Sequence, residues 1–375
     1  MNSKDAKTVN YARIRAIGKA NPPLRLTQEE TFRLAGYDNP RILSIFLNSG
    51  IDHRHFYIDR EHANRHETPD ELNLRYLRGA MHTGCRAVEA CLERAGMTPR
   101  AVDLLLVCTC TGYLCPDLAS RLMGHLSFRQ DVQRAPMLGL GCAGAVPTLQ
   151  RASDFVRAHP GRVALMLAVE ICSASYYLDN TLETAVGNAI CGDGAAAFLL
   201  SAGPRGDACY PEIVDFGSFL DPEHLDKVGF GRCEGKLRII LSSSVRHLAA
   251  PMIANAVDPL LRRNCLCRCD IRFWVAHPGG PKVIDNVQEQ MGLTEAQLQF
   301  SRNVMRNYGN MSSPTVMYVL DEVCGRRRII YRPRMSQKGL LLVHFRPDAG
   351  HRNRIEVAVR THIVVARRGY YRAHA

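Results

Sequence analysis

Along the chain, unbroken apolar stretches alternate with stretches in which apolar residues recur every three or four positions. VDLLLVCTCTG is an apolar run of strand length that stops at Gly112 and Pro116. Runs of this kind, buried on both faces, belong to central strands of α/β sheets. RVALMLAVEI reads the same way, APMLGLG is strand-like, and GDGAAAFLLSA is a glycine turn leading into another strand. Between them, AGAVPTLQRASDFVRAH has helical spacing, as does the segment from Leu72 to Gly96, whose end Gly96 and Pro99 mark. YARIRAIGKANP predicts a short first strand ahead of a Gly/Pro turn.

A second series begins after the turn AGPRGDA, residues 202–208. It predicts a helix near Ser242 to Arg263, a buried strand in RFWVAHPGG, helices over Pro281 to Met291 and Pro314 to Cys324, and a late strand at KGLLLVHF. Strand-then-helix order repeats in both series, which predicts an α/β protein of two duplicated halves, residues 1–203 and 204–375. With 375 residues and 46% hydrophobic content, each half can bury a core of its own.

Composition then narrows the function. No run of eighteen apolar residues occurs, and MNSKDAKTVN is polar with no apolar signal segment behind it, so a soluble, cytoplasmic protein with no membrane partner is expected. The net charge of +12 sits largely in GRRRIIYRPR and in the tail from His351, without interleaved aromatics. That pattern suits a solvated face, or a rim attracting an anionic small substrate such as a coenzyme A thioester, rather than nucleic acid. The 14 cysteines are expected to be mostly reduced. They form no paired CxxC motifs, and the i, i+2, i+4 spacing of CLCRC is awkward for one metal, so no metal site is expected.

Three segments could carry chemistry. In LGLGCAGAVPTLQRA, Cys142 stands where a strand gives way to a helix, facing the positive end of the helix dipole, which favours thiolate over thiol. A small buried hydrophobe is an equally good local reading. In FWVAHPGGPKVID, His277 ends a buried strand at a Pro/Gly break where backbone can approach a ligand. In NYGNMSSPTVMYVL, Asn310 lies in a turn before a helix, a place asparagine also takes as a simple turn or cap residue.

In this order and at these separations, the three segments resemble the chalcone synthase-like type III polyketide synthases, in their bacterial form. The resemblance runs from roughly Arg13 to Leu342 and includes the turn GDGAAA at Gly192 to Ala197. It implies a thiolase-like fold, two duplicated α/β halves in a layered αβαβα core. It also implies that Cys142, His277 and Asn310 are the catalytic set, Cys142 being paired as thiolate with the His277 imidazolium. Iterative decarboxylative condensation of malonyl-CoA onto an acyl-CoA or malonyl-CoA starter, held on Cys142, then leads to cyclisation to a resorcinol, pyrone or related aromatic. A homodimer with no metal or redox cofactor is implied.

By position in the family, Cys110, Thr111, Cys115, Cys172, Ser175, Cys191, Ile239 and Ser312 are expected along the substrate cavity, Cys115 reaching across the dimer. His53, Arg54 and Lys282 are candidates for the phosphates of CoA. Cys191 and Ile239 stand where the plant enzymes carry phenylalanines, which implies a less aromatic cavity. Two early stretches, NPRILSIFLNSGIDHRHF and GCRAVEACLERAG, resemble bacterial dihydroxyphenylacetyl-CoA synthases. HPGGPK and YGNMSS follow the pattern of resorcinol, pyrone and naphthol synthases. The glycine-rich GFGPG loop of the family is replaced by HFRPDAG, His344 to Gly350, a loop that must be built differently. Two alternatives remain: a single condensation of the β-ketoacyl-acyl carrier protein synthase III kind, and an acyl-binding homologue with impaired catalysis.

Overall fold

The computed structural model describes residues 10–58, 67–179, 181–203, 212–329, 339–344 and 361–367. The first half runs β1 (Tyr11–Ala20), β2 (Leu24–Thr27), α1 (Gln28–Ala35), α2 (Pro40–Leu47), β3 (His53–Phe56), α3 (Pro69–Ala95), β4 (Leu104–Thr109), α4 (Leu118–His125) and β5 (Gln133–Leu138). It closes with α5 (Ala145–Ala158), β6 (Val163–Glu170), α6 (Leu182–Ile190) and β7 (Gly194–Gly203). The second half contains β8 (Glu212–Phe219), β9 (Val228–Cys233), β10 (Lys236–Leu241), α7 (Val245–Arg263), β11 (Ile271–Ala276), α8 (Pro281–Met291), α9 (Glu295–Tyr308), α10 (Ser313–Ile329), β12 (Gly339–His344) and β13 (Thr361–Arg367). Helix α3 begins three residues before its first periodic apolar residue because Thr68 and Glu71 form a capping box around Pro69. It ends on the left-handed Gly96, as its sequence predicts.

Nine strands join in the order β11-β12-β13-β8-β1-β7-β6-β4-β5. Read outward from the β1–β8 junction, the two wings repeat each other. β1, β7, β6, β4 correspond to β8, β13, β12, β11, with two antiparallel pairings and then a parallel one in each. The duplication expected from the sequence is thus written in the strand order, and β5 is an additional edge strand. The wings meet through Ala12–Ile213 and Arg13–Glu212, where the Arg13 Nε donates to Glu212 Oε1 at 3.2 Å in a buried ion pair.

Helix α3 covers the outer face of one wing and α7 the outer face of the other, while α5 and α10 lie between the wings and touch each other. This is the five-layer αβαβα arrangement. Alternation along β4 shows why the sequence requires it. Leu104, Leu106 and Cys108 point to the inner core with Val146, Leu149, Val316 and Leu320. Leu105 and Val107 point to the outer core with Val88 and Leu92 of α3. A strand sealed on both sides must be apolar at every position. Gly18 of β1 has the closest approach: a Cβ there would lie 2.1 Å from Ala87 O of α3.

Among the described residues, no helix is long and apolar enough to cross a membrane. Cys267 and Cys269 are joined to each other, an exception to the mostly reduced cysteines expected; among the described residues, the eleven other cysteines form no disulfide. Cys267, Cys269 and Asp270 are also the one group of metal-ligand type close together among the described residues, and its two sulfurs are bonded to each other. Residues 204–211, which follow the expected boundary at 203, and the loop following His344 lie outside the described residues.

Candidate active site

The three candidate residues stand at the ends of elements in the middle of the molecule. After β5, Gly139 and Gly141 take left-handed φ values of 72° and 49°, which a side chain would oppose. They turn the chain into a short 3-10 segment, Gly141–Gly144, that runs directly into α5. Cys142 is the second residue of that segment and is half-buried, at the positive end of a helix enclosed by both wings.

Asn310 occupies the equivalent place before the other central helix, α10. Its backbone forms an isolated bridge with Cys191: Asn310 N–H donates to Ile190 O at 2.8 Å, and Gly192 N–H donates to Asn310 O at 3.1 Å. Ser312 N–H donates to Asn310 Oδ1 at 2.8 Å. Because a backbone N–H can only donate, the oxygen of the amide must face Ser312, leaving the NH2 group for the pocket. The GDG turn makes this bridge possible. A Cβ on Gly192 would meet Tyr308 O at 2.8 Å, and one on Gly194 would meet Met311 Sδ at 2.4 Å. Asp193 between them is buried and accepts from Ser173 Oγ at 2.6 Å, Tyr57 N at 2.7 Å and Ser173 N at 2.8 Å. Burial nevertheless pushes its carboxyl up to about 6.

His277 follows the last residue of β11, with Gly279 N–H closing a tight turn onto its carbonyl at 3.0 Å. The residue is half-buried, and burial of the ring pushes its pKa down to about 3. Burial thus favours the neutral ring, and a negative charge facing it, such as a Cys142 thiolate, favours the imidazolium.

Cys142, His277 and Asn310 line one pocket. Of the expected cavity residues, Cys172, Cys191, Ile239 and Ser312 line it too. The remaining walls are apolar, from Val228 and Phe230 of β9, Leu241 of β10, and Val283, Ile284 and Val287 of α8. Cys172 and Cys191 share a hydrogen bond, which pulls the Cys191 thiol down with help from Arg54 and pushes Cys172 up. Ile239 rests on Gly187, whose added Cβ would lie 2.5 Å from Ile239 Cγ2.

Other expectations need correction. Cys110 and Thr111 line a neighbouring pocket with Tyr113 and Leu138, and Cys110 Sγ lies 3.3 Å from Ser312 Oγ of the first. Ser175 is buried and donates to Cys172 O at 2.8 Å, behind the wall, because its 3-10 turn points it inward. Cys115 is exposed. Arg54 is fully enclosed, so its guanidinium cannot meet a phosphate at a surface. His53 is half-buried beside it, and Lys282 alone of the three CoA candidates is exposed, on the first turn of α8 next to the pocket wall.

Sequence reasoning missed Glu170, at the end of β6. Its Oε2 accepts from Cys110 N at 2.9 Å, Thr111 N at 3.1 Å and Thr111 Oγ1 at 2.9 Å, and its Oε1 from Ser313 Oγ at 2.6 Å. Burial raises its pKa against those donors. It ties the end of β4 to the start of α10. The signal was present: a single carboxylate ending an otherwise apolar strand.

Comparison with known proteins gives the same answer. The profile described as "Chalcone and stilbene synthases, C-terminal domain" matches residues 232–347, and that described as "FAE1/Type III polyketide synthase-like protein" matches residues 31–210. The chain is 33% identical over 315 residues to 3,5-dihydroxyphenylacetyl-CoA synthase of Streptomyces toyocaensis, covering 82% of this chain and 81% of the relative. It is 29% identical over 324 residues to 1,3,6,8-tetrahydroxynaphthalene synthase of Streptomyces peucetius subsp. caesius, covering 84% and 86%. Among solved structures, PKS-I of the brown alga Ectocarpus siliculosus superposes with a TM-score of 0.85 at 27% identity, over 97% of this chain and 100% of that one. With its duplicated wings, its central helices and its pocket, the chain belongs to the type III polyketide synthase family of acyltransferases.

Proposed function

We propose that the protein loads an acyl-CoA or malonyl-CoA starter on Cys142 and extends it with malonyl-CoA units before cyclising the chain to a resorcinol, pyrone or related aromatic. The observation that carries this reading is the convergence of Cys142, His277 and Asn310, from both halves, on one apolar pocket. In the first step neutral His277 takes the thiol proton as Cys142 attacks the starter thioester, and CoA leaves. The imidazolium so formed and the Asn310 NH2 then hold the thioester oxygen of malonyl-CoA. CO2 departs, and its bonding electrons pass to an enolate stabilised by those donors. The enolate carbon attacks the Cys142 thioester and the Cys142 thiolate leaves; the chain, now two carbons longer on CoA, returns to Cys142 by thioester exchange that releases CoA.

Further features support parts of this assignment. The nucleophile falls in the half comprising residues 1–203, and His277 and Asn310 in residues 204–375. The reading takes Lys282, exposed and next in sequence to pocket-lining Val283, as a cation for a phosphate of CoA. A homodimer is favoured by the edge strand β5 and by exposed Tyr113 and Leu138 near it. Radiolabelled malonyl-CoA with a panel of starters tests the function. CO2 release and a labelled acyl-enzyme at Cys142 are expected. A folded protein giving neither refutes it, and a single extension dependent on acyl carrier protein favours the one-step alternative.

A further inference from the structure

Arg54 is a buried cation with a structural position that the CoA reading does not explain. The residue is 0% exposed. Its Nη1 donates to Cys191 O at 2.6 Å, Asn188 O at 2.7 Å and Tyr176 Oη at 3.1 Å. The guanidinium lies 5.6 Å from the Phe46 ring centre and 5.2 Å from that of Phe56. Among the described residues no carboxylate pairs with it, and Nε and Nη2 have no hydrogen-bond partner. Burying an unpaired charge is costly, so its contacts must do something that an apolar residue cannot.

The stem indicates what that is. A Cβ on Gly309 would lie 2.8 Å from Arg54 Cδ, and one on Gly192 would lie 3.6 Å from its Cβ. The stem therefore runs between the two glycines that flank the Cys191–Asn310 bridge. The head holds the carbonyls of Asn188 and Cys191, on either side of the Ile190 carbonyl to which Asn310 N–H donates. Tyr176 reinforces the clamp by donating to Asn188 O at 2.9 Å. Thus a single side chain touches both strands of the bridge.

We propose that Arg54 is a positioning residue for Asn310: it clamps the turn from Asn188 to Cys191 against Gly309, so that the bridge keeps the Asn310 NH2 aimed into the pocket. The proposal rests on the reading of Asn310 as an oxyanion donor. A displacement of this amide by a fraction of an ångström weakens enolate stabilisation without touching the binding of CoA.

The test compares wild type, Arg54→Lys, Asn310→Ala and the double variant. Decarboxylation of malonyl-CoA gives kcat and KM, calorimetry with free CoA gives binding, and hydrogen exchange with mass spectrometry follows the peptide spanning Gly309 to Ser312. For Arg54→Lys, kcat is expected to fall on the order of tenfold to a hundredfold, with KM and CoA binding unchanged. Exchange protection at the bridge is lost, and adding Arg54→Lys to Asn310→Ala lowers kcat little further. Weaker CoA binding with unchanged kcat, additive losses, or unchanged exchange protection each overturn the proposal. If the wild type itself releases no CO2, the catalytic reading of Asn310 falls, while the exchange measurement still decides whether Arg54 holds the bridge. Should Arg54→Lys fail to fold, Tyr176→Phe loosens the same clamp with the cation intact and is read in the same way.

Discussion

The neutrality of His277 leads to a measurement that does not depend on substrate. Burial places the folded pKa at about 3, against an ordinary value of 6.5. Below 6.5 the unfolded chain binds a proton at this ring that the folded protein does not. The contribution to stability is therefore fully present above 6.5 and is lost progressively as pH falls toward 3. At about pH 5 the gap is roughly 1.5 pH units, or about 2 kcal/mol. Replacing His277 with Asn removes this term. Urea unfolding of wild type and His277→Asn, at about pH 8 and about pH 5 and at one protein concentration, isolates it. Asp193 and Glu170 also titrate out of their usual range, but they are common to both proteins and cancel in the difference. The stability gap should move by about 2 kcal/mol in favour of the variant on acidification. A gap that does not move refutes the buried neutral ring. A gap moving the other way shows a raised pKa, and hence a resting thiolate–imidazolium pair with Cys142.

Three further outcomes follow from the site. Asn310→Ala should lower kcat for malonyl-CoA decarboxylation by about a hundredfold to a thousandfold, with a much smaller change in KM, in steady-state assays of CO2 release. Ile239→Phe has no room toward Gly187, so the ring must enter the pocket; product mass spectrometry should show fewer condensations, and an unchanged product mixture would place the growing chain elsewhere. Gly309→Ala and Gly96→Ala both disturb left-handed glycines, yet a Cβ on Gly309 would meet Ile190 O at 2.6 Å whereas Gly96 has nothing within 4 Å. Thermal melts should show Gly96→Ala costing about 1 kcal/mol and Gly309→Ala clearly more, about 2–3 kcal/mol.

Much of this architecture was legible because it is buried. Strands such as β4 and β6 have no solvent face, so their sequences are apolar throughout, and the helix from Pro281 to Met291 matches its prediction at both ends. Elements with mixed surroundings were not legible. Helix α9 went unread although Thr294 and Gln297 form a capping box, because its apolar positions are sparse among polar ones. The short strands β9 and β10, half-buried along most of their length, carry no clean alternation. In the site, local patterns placed Cys142, His277 and Asn310 at element ends but could not bring them together; that required strand order. Arg54 was misplaced for a related reason. An arginine in a sequence reads as surface, and nothing local reveals that a glycine pair and two aromatic rings will enclose it.

The position of Cys142 at the head of α5 separates two kinds of constraint on this protein's evolution. Helix α5 is sandwiched between the wings and packs into the inner core they share, so a substitution near the thiol propagates into that core. The pocket wall formed by β9 and β10 is instead a two-stranded ribbon outside the main sheet, bound to the rest mainly through α6. Residues there, Phe230 and Ile239 among them, can exchange bulk without disturbing the layers that hold the nucleophile. A lineage can therefore change what it makes by editing the ribbon while the machinery that makes it stays locked in the centre.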